Sequence, residues 1–341
     1  MTLELLPKAQ KCNIRCSYCY QNPMRDAGFM LKEYDIDAML EQVDQSFSLF
    51  GGEPLLVPIS DLEKFFQHGL EHYDHNGIQT NGILITDRHI VLFKKYKVNI
   101  GISIDGPGVL NSPRCDIKLT SKTLVNIERL VDNGIIPSFI VTLHKANLKH
   151  KYVLINWFHH LNDIGVYSIR LHFLENDGVD DLVPDPIDVS DFITDLAEIP
   201  FTKLKFDILD SVKDLLKDPH DPKASCVWNG CDAFTTPAVQ GVAGDGSKSN
   251  CGRVNKDGID YRKATGDMAA RERTWALWNI PQEFGGCQGC RFFLACTGHC
   301  PGGGIDGDWR NRSEHCEIIY ALFETFETAD SPVWIGLLRT P

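Results

Sequence analysis

The sequence predicts an α/β fold of repeated strand–helix units around a parallel sheet, followed by a smaller cysteine-rich segment. Three observations carry this expectation. Through the first half, short apolar runs alternate with amphipathic stretches. Beyond about residue 224 the texture turns Gly-rich and Cys-rich, with eight of the 12 cysteines after residue 225. Hydrophobic residues make up 43% and charged residues 23% of the 341, as in an ordinary globular protein of roughly two domains.

Six strands are expected, near residues 2–6, 46–50, 77–80, 98–104, 136–143 and 167–174, most of them rich in Ile, Val, Leu or Phe. After the first strand, Ile36, Met39, Leu40, Val43 and Phe47 recur at helical spacing. Ser60-Asp61-Leu62-Glu63 reads as a capping box opening a helix that carries Leu62, Phe65, Phe66 and Leu70. A third helix starts at Ser121, presents Leu124, Ile127, Leu130 and Val131, and stops at Gly134, a residue suited to the left-handed conformation. Trp157, Phe158 and Leu161 mark a fourth, ending at Gly165. Residues 176–186 hold four Asp and two Pro and read as a linker or surface loop, with a further amphipathic helix behind it. The expected divisions are 1–186 for the strand–helix unit, 187–223 for linker helices, 224–320 for the cysteine-rich domain and 321–341 for a tail.

Charge excludes one class of partner. With 34 Lys+Arg against 46 Asp+Glu the net charge is −12, and no dense basic stripe is present, so no nucleic acid is expected. No run approaches about 18 apolar residues and the N-terminus lacks a basic region followed by a long apolar one, which predicts a cytoplasmic protein with no membrane partner. Cysteines in a reducing compartment more often hold metal than form disulfides.

Directly after the first strand, Cys12, Cys16 and Cys19 form a CxxxCxxC triplet. Three thiolates on one short loop can hold three corners of a cubane iron–sulfur cluster and leave one iron open. The alternative is a zinc site, although zinc knuckles usually show paired CxxC spacings or pairs joined to His. Further motifs end successive strands: Gly51-Gly52-Glu53-Pro54, Gln79-Thr80-Asn81-Gly82 and Ser103-Ile104-Asp105-Gly106-Pro107. Each is an ordinary turn when taken alone, but their joint position is where a parallel barrel keeps its chemistry.

The triplet and the Gly-Gly-Glu-Pro strand end resemble the radical S-adenosylmethionine superfamily over the first 200 residues or so. The resemblance implies a partial (βα)6 TIM-like barrel in which the cofactor's methionyl amine and carboxylate chelate the open iron. One electron then cleaves a carbon–sulfur bond, and a 5′-deoxyadenosyl radical abstracts hydrogen. It implies that Gly51, Gly52 and Glu53 approach the cofactor's amine, that Ser103 and Arg114 contact its carboxylate or ribose, and that Tyr18 packs near the adenine. The residue types suit those roles. Glycines let backbone approach a small zwitterion, Glu53 can accept from an ammonium, and Arg114 can hold a carboxylate through two parallel hydrogen bonds, or else be a solvated surface cation.

The tail reads CxxC-x5-C-x3-C-x15-C through Cys287, Cys290, Cys296, Cys300 and Cys316, with Cys226, Cys231 and Cys251 upstream. Zinc ribbons are the rival reading. This run resembles the SPASM extension of radical enzymes that modify peptides and proteins. The resemblance implies two auxiliary [4Fe-4S] clusters, three in all, the first held by Cys226, Cys231, Cys251 and Cys300 and the second by Cys287, Cys290, Cys296 and Cys316. Fully ligated clusters would accept an electron from the product radical, with an external one-electron donor such as flavodoxin or ferredoxin.

Sulfatase maturases carry an acidic residue directly after the third ligand of the first auxiliary cluster, where this chain has Gly252 and then Arg253. The leading expectation is therefore oxidative modification or cross-linking of a side chain in a ribosomally made precursor peptide. Its leader would be recognised by the barrel, the linker or a separate leader-binding protein. The alternatives are formylglycine formation in a sulfatase, dehydrogenation of a small metabolite, or a metal-binding module without catalysis. His144, His172 and Glu175 are candidate substrate contacts or polar groups of the rim, and Asp105 reads as a turn former. His299 is a candidate donor to cluster sulfur, and Cys115 an ordinary thiol. Gly241–Gly246 and Pro301–Gly304 read as turns between ligands rather than phosphate cradles.

Overall fold

All six expected strands form, and they lie side by side in chain order: β1 (Thr2–Leu6), β2 (Phe47–Leu49), β3 (Asn76–Thr80), β4 (Val98–Ser103), β5 (Ser138–Leu143) and β6 (Ser168–Phe173). Every neighbouring pair among them is parallel. The computed structural model describes residues 2–9, 11–28, 33–176, 178–219, 239–251, 253 and 272–328. Within these, the sheet runs past β6 to β7 (Lys205–Phe206), and past β1 to β8 (Val239–Ala243) and β9 (Lys248–Asn250).

The helices are α1 (Asn22–Asp26), α2 (Ile36–Leu40), α3 (Ile59–Tyr73), α4 (Asp87–Lys95), α5 (Ile117–Asp132), α6 (Lys145–Leu148), α7 (Lys151–Asp163), α8 (Pro186–Glu198), α9 (Asp207–Lys217), α10 (Glu272–Asn279), α11 (Phe293–Cys296) and α12 (Cys316–Phe326). Strand alternation explains how helices and sheet meet. Leu3 and Leu5, Ile100 and Ile102, Phe139 and Val141, and Ile169 and Leu171 join one core with Phe65, Phe66, Ile127, Leu130 and Phe158 from the covering helices. The intervening positions, such as Ser48, Gly77, Gln79, Gly101 and Ser103, are small or polar and leave room on the other face.

Several local expectations change. The helix read through Phe47 stops at Leu40, because Phe47 pairs with Leu3 as the first residue of β2. Ser60 does not cap α3: the helix begins at Ile59 behind Pro58 and has no side-chain cap, so tertiary packing of Leu62, Phe65 and Phe66 holds that end. α5 begins at Ile117, four residues before Ser121, because the Asp116 carboxylate accepts from Leu119 N at 2.8 Å. α4 was not expected from the sequence. Gly134 and Gly165 do follow their helices with φ of 76° and 94°.

Gly241, Val242 and Ala243 are not turns between ligands but the end of β8, which pairs in parallel with β1 over five residues. The reason is an open edge: β1 would otherwise present unpaired N–H and C=O groups on its free side. α12 carries the cysteine-rich segment back to the barrel, burying Ile318, Ile319, Leu322 and Phe323 in the main core against α8 and α9. No helix among the described residues is long and apolar enough to cross a membrane.

Candidate active site

At the carboxyl ends of the strands lies a cavity of about 220 Å³. Its wall includes Cys12, Cys16, Tyr18, Cys19, Gly51, Gly52, Ser103 and Arg114, all of them singled out from the sequence. Glu53 lies behind the wall. The cavity is also bordered by Gln79, Thr142, His172, Glu175 and Arg253.

The loop bearing the three thiols is fixed to successive strand ends. Lys11 O accepts from Glu53 N at 2.9 Å, Asn13 Oδ1 from Asn81 Nδ2 at 2.8 Å, and Pro113 O from Ser17 N at 2.7 Å. Asn81 Nδ2 also lies 3.8 Å from Cys12 Sγ. Burial pushes the Cys16 thiol up to about 12, although the Arg114 guanidinium pulls the other way. Cys12 is likewise raised by burial. A thiolate at these positions therefore needs a cation beside it, which a metal centre provides.

Asp105 is not simply a turn former. It is fully buried and gathers the site: Oδ1 accepts from Arg114 Nε at 2.9 Å and from Thr142 N at 2.9 Å, and Oδ2 accepts from the Tyr18 hydroxyl. His144 Nε2 lies 3.4 Å from Oδ2. Burial opposes ionisation of Asp105 most strongly, but Arg114, His144 and Tyr18 together outweigh it and hold the carboxyl at about 2. Arg114 is accordingly no solvated cation. Its side chain is 11% exposed, and its two Nη groups have no hydrogen-bond partner among the described residues. The guanidinium lies 5.6 Å from the Tyr18 ring centroid.

Glu53 uses both carboxylate oxygens on its own chain. Oε1 accepts from Leu55 N at 3.0 Å and Thr80 Oγ1 at 2.7 Å, and Oε2 from Asn81 N at 2.9 Å. It thus ties the Gly-Gly turn to the end of β3. Gly51 shows why that turn needs glycine: its φ is 114°, and a Cβ there would stand 3.0 Å from Ala9 O. Ser103 Oγ is oriented by Gln79 Nε2 at 2.8 Å. Gln79 has an identifiable signal, since it begins a strand-end motif, but no charge or rarity sets it apart.

On another part of the wall, Arg253 Nη1 pairs with Glu175 Oε1 at 2.9 Å and approaches Cys300 Sγ at 4.0 Å. Residues from the barrel and from the cysteine-rich segment therefore share one chamber. His172 also lines it, and burial, together with Arg253 and Arg170, keeps this imidazole neutral at pH 7. His144 is fully buried behind the wall and caps α6 by accepting from Asn147 N. Cys115 does not reach the cavity; its Sγ lies near Asn111 Nδ2 and Thr120 Oγ1.

In the cysteine-rich segment, Cys287, Cys290, Cys296 and Cys316 border a second, small cavity of about 20 Å³, with His299 and Arg312 on its wall. Burial raises all four thiols, Cys287 to about 12. Cys251 and Cys300 form no disulfide among the described residues. Cys226, Cys231 and Gly252 lie outside the described residues.

Comparison with known proteins agrees with this geometry. Residues 6–157 match the model of the radical SAM superfamily. The cysteine-type anaerobic sulfatase-maturating enzyme of Clostridium perfringens is 31% identical over 124 residues, covering 31% of this chain and 33% of the relative. The serine-type enzyme of Bacteroides thetaiotaomicron is 28% identical over 174 residues, covering 45% and 42%. An uncharacterised protein of Synechocystis is 29% identical over 187 residues, covering 48% and 46%. The match thus spans a third to a half of these relatives' own length. Among solved structures, native anSMEcpe with bound AdoMet and Cp18Cys peptide superposes with a TM-score of 0.73 at 19% identity, covering 96% of both chains. Streptococcus suis SuiB bound to precursor peptide SuiA gives 0.60 at 12% identity, covering 92% of this chain and 75% of SuiB. At such identities the likeness shows a shared fold. The chain is thus an α/β protein whose residues 6–157 form a radical SAM superfamily domain, followed by a cysteine-rich C-terminal part.

Proposed function

We propose that this chain abstracts hydrogen from a side chain of a ribosomally made precursor peptide and oxidatively modifies or cross-links that side chain. The observation that carries the reading is the shared chamber, where the three thiols and Arg114 face Arg253 of the cysteine-rich segment. An S-adenosylmethionine-binding [4Fe-4S] cluster at Cys12, Cys16 and Cys19 would supply the 5′-deoxyadenosyl radical that takes the hydrogen.

The donor chemistry fits that group. Three thiols on one short loop, all bordering the cavity, are the donor set of a cubane that leaves one iron to an external ligand. Arg114, held at Nε by Asp105, offers its two Nη groups to a carboxylate. Ser103 offers a hydroxyl oriented by Gln79, and the Gly51-Gly52 turn offers backbone at close range. Glu175, matched in charge by Arg253, and neutral His172 are the polar groups a substrate side chain would meet.

The auxiliary reading assigns Cys226, Cys231, Cys251 and Cys300 to one [4Fe-4S] cluster and Cys287, Cys290, Cys296 and Cys316 to another. The clustering of the second set around one small cavity supports it. The proposed partners are the precursor peptide and an external one-electron donor such as flavodoxin or ferredoxin, in the cytoplasm. A separate leader-binding protein completes the system if the barrel does not bind the leader.

The second reading, formylglycine formation in a sulfatase, is supported by relatives that carry that name. Against it stands Gly252, where an acidic residue is expected. Anaerobic protein incubated with reductant, S-adenosylmethionine and candidate peptides separates the two. Loss of two hydrogens from a precursor peptide supports the first reading. Conversion of Cys or Ser to an aldehyde in a sulfatase-derived peptide, with precursor peptides untouched, replaces it with the second.

A further inference from the structure

Among the described residues on the wall of the small cysteine cavity, Arg312 is the one Lys or Arg side chain. Its Nη1 donates to Gly286 O at 3.1 Å, while its buried Nε has no hydrogen-bond partner among the described residues. The other arginines among the described residues of the segment are engaged. Arg253 pairs with Glu175, Arg291 with Glu324 and Glu327, and Arg310 with Asp308. Arg273 donates to the carbonyls of Trp309, Thr297, Gly298 and Asn311. Arg312 forms no ion pair with a carboxylate among the described residues, so its charge acts undiminished on the group beside it.

Four thiolates around a cubane make a net anion, and reduction adds one more negative charge in a partly buried site. A neighbouring unmatched cation stabilises the reduced form more than the oxidised one. We propose that Arg312 raises the reduction potential of the second auxiliary centre, making that centre the favoured resting place for the electron removed during turnover. The inference rests on the assignment of Cys287, Cys290, Cys296 and Cys316 to that centre. The half-reaction is the addition of one electron, with no bond made or broken.

The test uses the full chain with Cys12, Cys16 and Cys19 replaced by Ala, so that only auxiliary centres titrate. Midpoint potentials are read by electron paramagnetic resonance during an anaerobic redox titration. Arg312→Gln should lower the reduction equilibrium of one of the two centres at least tenfold, which is about 59 mV for a one-electron couple. The other centre should stay within about threefold, and Arg312→Lys should keep most of the parent value. Arg312→Met replaces the Gln variant if the latter loads poorly. Equal iron content with unshifted potentials overturns the inference and leaves the auxiliary reading intact. Equal shifts in the Gln and Lys variants overturn it too, because they would trace the effect to the Gly286 contact and not to charge. A parent chain without iron and sulfide at these cysteines overturns both.

Discussion

Asp105 Oδ1 stands 2.9 Å from Arg114 Nε, a buried ion pair that joins the end of β4 to the loop entering α5. Because Tyr18 donates to the same carboxylate, one side chain fixes both the cysteine loop and the cation of the cavity wall. Asp105→Asn would keep the shape but leave Arg114 buried without its counter-charge, which costs about 3–5 kcal/mol. The pH dependence has a definite sign. The carboxyl is held at about 2, below its ordinary 3.8, so its contribution is present above about pH 4 and is lost as pH falls toward 2. The stability gap between wild type and Asp105→Asn, measured by denaturant titration, should therefore narrow by about 2 kcal/mol over that interval. S-adenosylmethionine affinity, measured by equilibrium dialysis, should fall about ten- to a hundredfold at pH 7 as Arg114 loosens. An unchanged affinity would remove Asp105 from the binding machinery.

Replacing Cys12, Cys16 and Cys19 with Ala should remove one of the three proposed cubanes. Iron after anaerobic reconstitution should drop from about 12 to about 8 per chain, and reductive cleavage of S-adenosylmethionine should disappear. Iron and sulfide assays on both proteins check this. Zinc in place of iron, or an unchanged iron count in the triple variant, contradicts the assignment.

How much of this was legible in the sequence depends on the range of the forces involved. The six strands were readable because alternation in Ile100, Ile102, Phe139 and Val141 is a local pattern set by one buried face. The cysteine triplet and Gly51 were readable because their chemistry restricts the residue type. β8 was not, since Val239–Ala243 becomes a strand only through the open edge of β1, more than 230 positions away in the chain. Asp105 is illegible for the same reason: its partners Tyr18, Thr142 and His144 come from two distant segments, and an Asp-Gly-Pro string says nothing about them. Glu53 suggested an open carboxylate, and only the fold reveals three donors already upon it.

Gly51→Ala tests the close approach at the second strand end. An added methyl must stand 3.0 Å from Ala9 O at a φ of 114°, a region that L side chains avoid. The expected loss is about 2–3 kcal/mol, with cofactor affinity falling alongside because the turn can no longer hold its place beside the cysteine loop. Gly108→Ala is the control: φ is 57° and nothing lies within 4 Å, so only about 1 kcal/mol of backbone strain applies. Thermal unfolding of both variants decides it, and equal destabilisation would mean that the Ala9 contact carries no weight.

Glu4 sits on β1 opposite Ser48 of β2 and Gly241 of β8. Burial raises its carboxyl to about 7, only partly offset by Arg170. A raised carboxyl favours folding most fully below its ordinary value of 4.5, and that advantage is lost as pH climbs through 7. Glu4→Gln should therefore come close to wild type near pH 5 and exceed it by about 3 kcal/mol at pH 8. Melting curves at the two pH values read the difference, and a pH-independent offset would assign it to packing.

The cysteine-rich segment has little apolar material of its own to hold it together. Its separate core cluster is built on Leu277, Cys287 and Phe293. Arg273 compensates: a fully buried guanidinium reaches the carbonyls of Thr297 and Gly298 in the turn before Cys300 and of Trp309 and Asn311 in the loop before Cys316. Arg273→Met keeps the bulk but removes a donor from four carbonyls, of which Gly298 O keeps Ser313 N at 3.1 Å; a buried carbonyl left unpaired costs about 1–3 kcal/mol. That loss exceeds what so small a core can absorb, so auxiliary iron should fall well below the wild-type level while the N-terminal thiols still load. Because β1–β6 and their helices carry their own core, S-adenosylmethionine should still bind. Iron analysis and cofactor dialysis on the same sample separate the two outcomes, and joint loss of both would mean that the barrel depends on the segment it precedes.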